Sequence, residues 1–307
     1  MFEVRVPAST SNLGAGFDCF GLGLQLYLTV RATIAPEWSE PCQVESTGEG
    51  EGELPPGADN LIYQAMSFAA EREGLTLPRV RLAVHNEIPL GRGLGSSAAA
   101  IVAGLTLCAQ TCGKEIPDDA ALRYALEMEG HADNVAAAIY GGLTVACIDA
   151  DDRALVVKRG WPPEVKVIAV SPDAHLKTSL AREALPREVA FKDAVHNLQR
   201  AALFSAAIET GAYDLLWEAM QDRLHQRYRQ SLVPGLAEAL ATHRQQGLLG
   251  LALSGSGPTV IALARERFSE IGETIADNFR RRGLGVTIRL LEVDNVGGKT
   301  KASEHVL

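Results

Sequence analysis

Apolar and polar residues alternate along residues 3–8 (EVRVPA), 26–34 (LYLTVRATI) and 79–89 (RVRLAVHNEIP), the period-two signature of strands. Residues 46–60 (STGEGEGELPPGADN) hold glycine, proline and acid without period and predict a loop. The spacing changes to three and four over 60–73 (NLIYQAMSFAAERE), where Asp59 or Asn60 is placed to cap a helix and Gly74 to stop it. A second helix is predicted from about Ser97 to Cys112, with Gly113 as its left-handed stop. A third covers 117–129 (PDDAALRYALEME), with Pro117 and two aspartates in the first turn, where the dipole favours acids. Residues 131–149 (HADNVAAAIYGGLTVACID) read as a short helix, a Gly-Gly turn and a strand.

A second block opens near 158–172 (KRGWPPEVKVIAVSP), where Pro162 and Pro163 mark a linker. It predicts a strand at 165–171, helices at about 189–210, 212–222 and 234–246, and a strand pair within 248–264. A helix at 268–282 and a strand at 285–294 follow. The pattern predicts an α+β protein of two domains, 1–157 and 158–296, with 297–307 as a mobile tail.

Composition narrows the class. Hydrophobic residues make up 47% of the 307 and charged residues 22%, an ordinary balance for a soluble protein. There is no basic and apolar leader and no run of about 18 apolar residues, so no membrane span and a cytoplasmic location are expected. A net charge of −9 without a basic stripe argues against nucleic acid. A phosphorylated ligand would need a local positive site from backbone N–H groups, a helix N-terminus, a few arginines or Mg²⁺. The five cysteines form no Cys-x-x-Cys pair; Cys108 and Cys112, one turn apart, read as reduced core thiols. The histidines show no zinc spacing, and a homodimer is left open.

Against that background PLGRGLGSSAAAIVAGLTLC (89–108) stands out. It lacks the lysine of a nucleotide P-loop, and Ser96 replaces the third glycine of a dinucleotide fingerprint. Glycines still let a backbone wrap an anion, and Ser96 and Ser97 offer hydroxyls as helix caps or as Mg²⁺ ligands. Residues 7–24 hold Asn12 and Asp18 in a small-residue loop, either a plain turn or a polar pocket floor. On the 117–129 helix, Glu127 sits one turn after Arg123 as a surface pair, whereas Glu129 follows Leu122 and Ala125 on the apolar face. A buried acid needs a partner, either Mg²⁺ or a neighbouring N–H. SGSGPT (254–259) is a hairpin turn or a point of close approach to a ligand.

Together these stretches resemble the kinase superfamily that includes galactokinase, homoserine kinase, mevalonate kinase and phosphomevalonate kinase. PLGRGLGSSA (89–98) matches its Pro-x-x-x-Gly-Leu-Gly-Ser-Ser-Ala loop, and SGSGPT matches its third motif. PASTSNLGAGFD (7–18), EGHADNVAAAIYGG (129–142), KTSLAR (177–182) and DRLHQRYR (222–229) resemble the homoserine kinase branch. The resemblance implies an N-terminal ribosomal-protein-S5-like domain, a C-terminal ferredoxin-like domain, and ATP-dependent phosphorylation of L-homoserine in threonine biosynthesis. It implies an ATP site of Pro89, Leu90, Gly91, Arg92, Gly93, Leu94, Gly95, Ser96, Ser97, Ala98 and Ala99, with Asn60 at the adenine pocket. Mg²⁺ would sit near Glu129 and a loop serine, Ser97 ahead of Ser96. For the zwitterionic substrate, Asp18 suits the ammonium and Arg182 and Arg229 the carboxylate. Asn12, His131 and Asn134 would line the hydroxyl side.

Related kinases carry an aspartate base near the place of Asn134, and an amide cannot take a proton. Asp133 is expected to point elsewhere on its helix. The implied mechanism is in-line attack without a side-chain base, with Glu129-bound Mg²⁺ and Thr178 handling developing charge. Within the glycine loop, Arg92 faces either solvent or the nucleotide. Two rivals are a kinase for another small alcohol and a non-catalytic nucleotide sensor.

Overall fold

A computed structural model describes residues 1–301. The first part of the chain builds β1 (Phe2–Ser11), β2 (Phe20–Ile34), β3 (Cys42–Gly48), β4 (Val80–Asn86), β5 (Leu143–Ile148) and β6 (Ala154–Arg159). Its helices are α1 (Leu61–Glu73), α2 (Ser96–Thr111), α3 (Asp118–Glu129) and α4 (Asp133–Tyr140). The second part builds β7 (Lys166–Pro172), β8 (Leu248–Leu253), β9 (Val260–Ala264) and β10 (Val286–Leu291). Its helices are α5 (Thr178–Glu183), α6 (Phe191–Thr210), α7 (Leu216–Ala219), α8 (Gln226–Arg229), α9 (Leu236–Leu240) and α10 (Phe268–Arg280). The architecture is α+β with two sheets.

In the first sheet β1, β2, β4 and β3 lie side by side, with β3 and β4 parallel and the other pairs antiparallel. The 15-residue β2 serves two partners: Phe20–Leu22 pairs with β5 and Leu28–Ile34 with β4. β6 closes the hairpin with β5. The second sheet runs β10-β7-β9-β8, antiparallel throughout. Part of the segment expected to form a mobile tail, β11 (Lys299–Lys301), pairs antiparallel with β1; the remainder of that segment lies outside the described residues.

The helix signals act where the pattern put them. The Asn60 carboxamide accepts from Ile62 N–H at 3.0 Å, and Gly74 ends α1 with φ 64°. α2 buries nine residues, Cys108 among them, between sheet and neighbouring helices. Two expected helices come out short. The 212–222 helix becomes a 3₁₀ turn and α7, because the Asp222 carboxylate accepts from the N–H groups of Leu224, His225 and Gln226 and starts a new turn. The 234–246 helix stops at Leu240, and the Thr242 hydroxyl donates to Ala239 C=O. Val4, Val6, Phe20 and Leu105 share one buried cluster with Val167, Leu249 and Ile261 of the second sheet, so a common core underlies the cleft between the two parts.

Candidate active site

The cleft opens where the ends of β1, α2, α4 and β8 meet. One wall is the glycine loop. Gly91, Gly93 and Gly95 all have left-handed φ (61°, 76°, 72°). Five successive carbonyls turn onto protein donors: Gly91 accepts from Leu176 N–H, Arg92 from Thr259 N–H, Gly93 from the Ser254 hydroxyl, Leu94 from Ser9 N–H and Gly95 from Ala99 N–H. The N–H groups of Gly93, Leu94, Gly95 and Ser96 have no protein acceptor among the described residues, and these four residues line the cleft. Free donors at a helix N-terminus make an anion cradle.

The glycines are needed for a different reason than the sequence suggested. A Cβ at Gly93 would fall 2.2 Å from Ser254 C=O, and one at Gly95 2.1 Å from the Ser9 hydroxyl. The missing side chains let the loop press against the chain behind it rather than clear space for a ligand. Nor are the serines caps: Gly95 holds the N-cap position of α2, and the Ser97 hydroxyl donates to Glu129 at 2.7 Å.

That contact unites the two residues assigned to Mg²⁺. Glu129 is largely buried at the end of α3, 3.9 Å from His131. Among the described residues no group of three His, Cys, Asp or Glu could hold a metal alone. A carboxylate beside a hydroxyl at an anion cradle fits Mg²⁺, which takes one or two carboxylates and completes its shell with phosphate and water. Glu127 pairs with Arg72 of α1 instead of Arg123.

Beside the cradle a second, mostly apolar recess is lined by Leu28, Leu54, Ile62, Leu90 and Ala100. Asn60 is in its wall, but its carboxamide is committed to Ile62 N–H and Pro55 C=O. With these two bonds it shapes the recess. Ala98 and Ala99 belong to neither recess: both methyls are fully buried in the core, and Ala99 N–H is bonded to Gly95. Arg92 is placed, its guanidinium 2.6 Å from Asp173 just past β7.

The opposite wall carries the loop after β1. Asn12, Leu13 and Asp18 all have positive φ (71°, 47°, 54°), a cluster of strained backbone at one site. Asn12 holds the loop, donating to Gly255 C=O and accepting from Asp18 N–H. Asp18 and Arg182, assigned to opposite ends of a zwitterion, form a two-point ion pair with each other at 2.8 and 3.2 Å. Arg229 is buried, giving Nε to Ala181 C=O and Nη1 to Gly255 C=O. Burial, reinforced by the charge of Arg182, pushes its pKa down to about 10. Both guanidinium carbons lie within 6 Å of the Phe17 ring centre, at 5.8 and 5.4 Å. Thr178, at the start of α5, faces the Ser256 hydroxyl at 3.4 Å.

Between the walls lies the start of α4. Asn134 accepts from the Ser9 hydroxyl and donates to the Ser11 hydroxyl, both at 2.9 Å. Asp133 does not point away: it belongs to the cleft lining, its carboxylate held by His131 at 3.0 Å and Asn134 N–H at 2.7 Å. Burial opposes its charge, but His131 and these hydrogen bonds outweigh it and keep the carboxyl below its ordinary range. Burial also opposes the His131 imidazolium, and Asp133 and Glu129 outweigh it, holding that pKa above its usual value. Sequence reasoning missed Ser9, Ser11, Phe17, Ser256 and His225. All five lay within quoted motifs; what the sequence did not signal was the contact of His225 with the Gly14 carbonyl, 211 positions away.

Comparison with known proteins identifies the family. Residues 60–142 match the GHMP kinases N terminal domain and residues 197–281 the GHMP kinases C terminal domain. The chain is 40% identical over 296 residues to the homoserine kinase of Moorella thermoacetica, covering 96% of this chain and 98% of that one. It is 42% identical over 298 residues to the homoserine kinase of Deinococcus radiodurans, covering 96% and 95%. The crystal structure of homoserine kinase from Cytophaga hutchinsonii superposes with a TM-score of 0.84 at 27% identity, covering 98% and 97%. Matched in both parts and along nearly its full length, the chain is a kinase and belongs to the homoserine kinase branch of the GHMP kinases.

Proposed function

We propose that the protein transfers the γ-phosphoryl group of ATP to the side-chain hydroxyl of L-homoserine, giving O-phospho-L-homoserine and ADP, a cytoplasmic step of threonine biosynthesis. The observation that carries this reading is the cradle: carbonyls turned out and N–H groups left free, next to a wall with both a carboxylate and two guanidinium groups. Phosphates suit the N–H groups of Gly93–Ser96, and the apolar recess by Asn60 suits a base. Ser97 and Glu129 would hold Mg²⁺, which supplies charge neutralisation on the phosphates.

The substrate zwitterion matches the Asp18–Arg182 pair if it exchanges partners with it: ammonium to Asp18, carboxylate to Arg182 and Arg229. The substrate oxygen attacks the γ-phosphorus in line as the bond to the β-bridging oxygen breaks. Its proton leaves with the phosphoryl group or to water. Asn134 cannot accept it, and His131, held toward its charged form, is a poor base. Asp133 is already bonded to His131 and Asn134 N–H, which makes it a positioning residue for both. Positioning and electrostatics suffice for a loose transition state.

An ADP-release assay with Mg-ATP tests this, offering L-homoserine against L-serine, mevalonate and galactose. Turnover is expected with homoserine; background ADP alone would overturn the proposal. Arg182→Ala is expected to raise KM for homoserine by about tenfold, about 1.4 kcal/mol. Asp133→Asn is expected to lower stability with a modest change in kcat. A loss of roughly 10²–10⁴-fold, the share of a general base, at an unchanged urea midpoint would overturn transfer without a base.

A further inference from the structure

Ser9 bears on two parts of the cleft at once. It is fully buried in β1. Its N–H donates to Leu94 C=O at 3.1 Å, behind the glycine loop, and its hydroxyl fills the place a Gly95 side chain would take. The same hydroxyl donates to Asn134 Oδ1 at 2.9 Å, at the start of α4. Asn134 lines the cleft and Ser9 does not, so Ser9 can act on a ligand only through its neighbours.

The direction of the bond to Asn134 follows from Asp133. A carboxylate accepts and never donates. The Ser11 hydroxyl turns its proton toward the Asp133 carboxylate, and therefore serves as acceptor for Asn134 Nδ2 at 2.9 Å. Nδ2 also faces Asp133 Oδ1 at 3.4 Å. An amide turned over would set its own oxygen against that carboxylate, a repulsive contact. Nδ2 is thus held on the side of Ser11 and Asp133, Oδ1 on the side of Ser9, and Ser9 has to donate. Both amide protons are spent within the protein, and what Asn134 has left is the second lone pair of Oδ1. To a ligand in the cleft this amide offers an acceptor and no donor.

We propose, resting on the activity proposed above, that Ser9 is a positioning residue for phosphoryl transfer. It holds the Asn134 carboxamide with its oxygen free to accept from the attacking hydroxyl, and it seats the phosphate cradle with its own N–H. A hydroxyl that donates to Oδ1 keeps an oxygen lone pair for the γ-phosphorus, whereas a donor in that place would occupy one. Because one residue of a sheet strand supports both reactants, it sets their separation, on which transfer rates depend steeply.

Ser9→Ala removes the hydroxyl and keeps the N–H. With Mg-ATP and L-homoserine it is expected to lower kcat by roughly ten- to a hundredfold, the scale of a misplaced reactant, with KM for ATP little changed. Ser9→Thr, which returns a hydroxyl, is expected to recover most of that loss. Wild-type kcat in Ser9→Ala overturns the proposal. So does a parallel fall of kcat, ATP affinity and urea midpoint, the mark of a purely structural role. A second readout needs no turnover and so separates this proposal from the choice of substrate. In proton–nitrogen correlation spectra the Asn134 carboxamide protons, identified by their loss in Asn134→Ala, are expected to exchange slowly with water in the wild type and faster in Ser9→Ala. Fast exchange already in the wild type overturns the amide's placement even if Ser9→Ala does not fold, and a rate unchanged by Ser9→Ala overturns the part given to Ser9.

Discussion

His225 shows what one buried side chain can fix. Its Nε2 meets Gly14 C=O at 2.9 Å and its Nδ1 meets Arg229 Nη1 at 3.3 Å. The carbonyl must accept and the guanidinium must donate, so the neutral ring with the proton on Nε2 is the form that satisfies both. Phe17 stacks on the same ring at 5.1 Å and carries Arg229 on its face. Burial pushes the His225 pKa down, and Arg229 adds to this against the charge of Asp222. A histidine whose folded pKa is depressed stabilises fully above its unfolded value, about 6.5, and loses that contribution as pH falls below it. His131 has the opposite sign: its contribution is present below about 6.5 and lost as pH rises through its raised pKa. His225→Asn, whose carbonyl can still accept from Arg229, should therefore lose less stability than the wild type between pH 7.5 and 5.5. Urea midpoints over that window check it, and equal slopes would show that His225 does not titrate with unfolding.

The glycine loop and α2 form one unit whose shape is imposed from behind. Gly95→Ala would place a methyl 2.1 Å from the Ser9 hydroxyl at a φ of 72°. The expected cost is about 1–3 kcal/mol of stability, with nucleotide affinity falling alongside as the free N–H groups splay. Calorimetric titration with a nucleotide beside a denaturation curve measures both. At this scale much was legible in the pattern: Asn60 and Gly74 bracket α1, and PLGRGLGSSA names the cradle. What stayed hidden was set by distant partners. β6 exposes Leu155 and Val157, so its alternation does not read as inside and outside. β3 buries only Cys42 and Val44 and shares its last residues with a glycine-rich loop. Arg182 and Asp18 were both legible as site residues, yet their bond joins residues 164 positions apart.

The whole molecule has no seam through which its parts could separate without dismantling the cleft. Asn12 and Ser11 bond to Gly255, Thr10 and Gly93 share the Ser254 hydroxyl, and Arg92 joins Asp173. The core under these ties includes residues of both sheets. Heat should therefore unfold the chain in one cooperative transition, with calorimetric and van't Hoff enthalpies equal. Two separated transitions would mean that the sheets are stable apart. The outward-facing carbonyls of the glycine loop add a consequence for variation. Ser9, Leu176 and the Ser254–Thr259 turn hold those carbonyls from three distant places in the sequence. An anion in the loop meets backbone, which substitution cannot change chemically. The grip of that backbone is adjustable from the reverse side, so variants that retune it are expected among residues the ligand never touches.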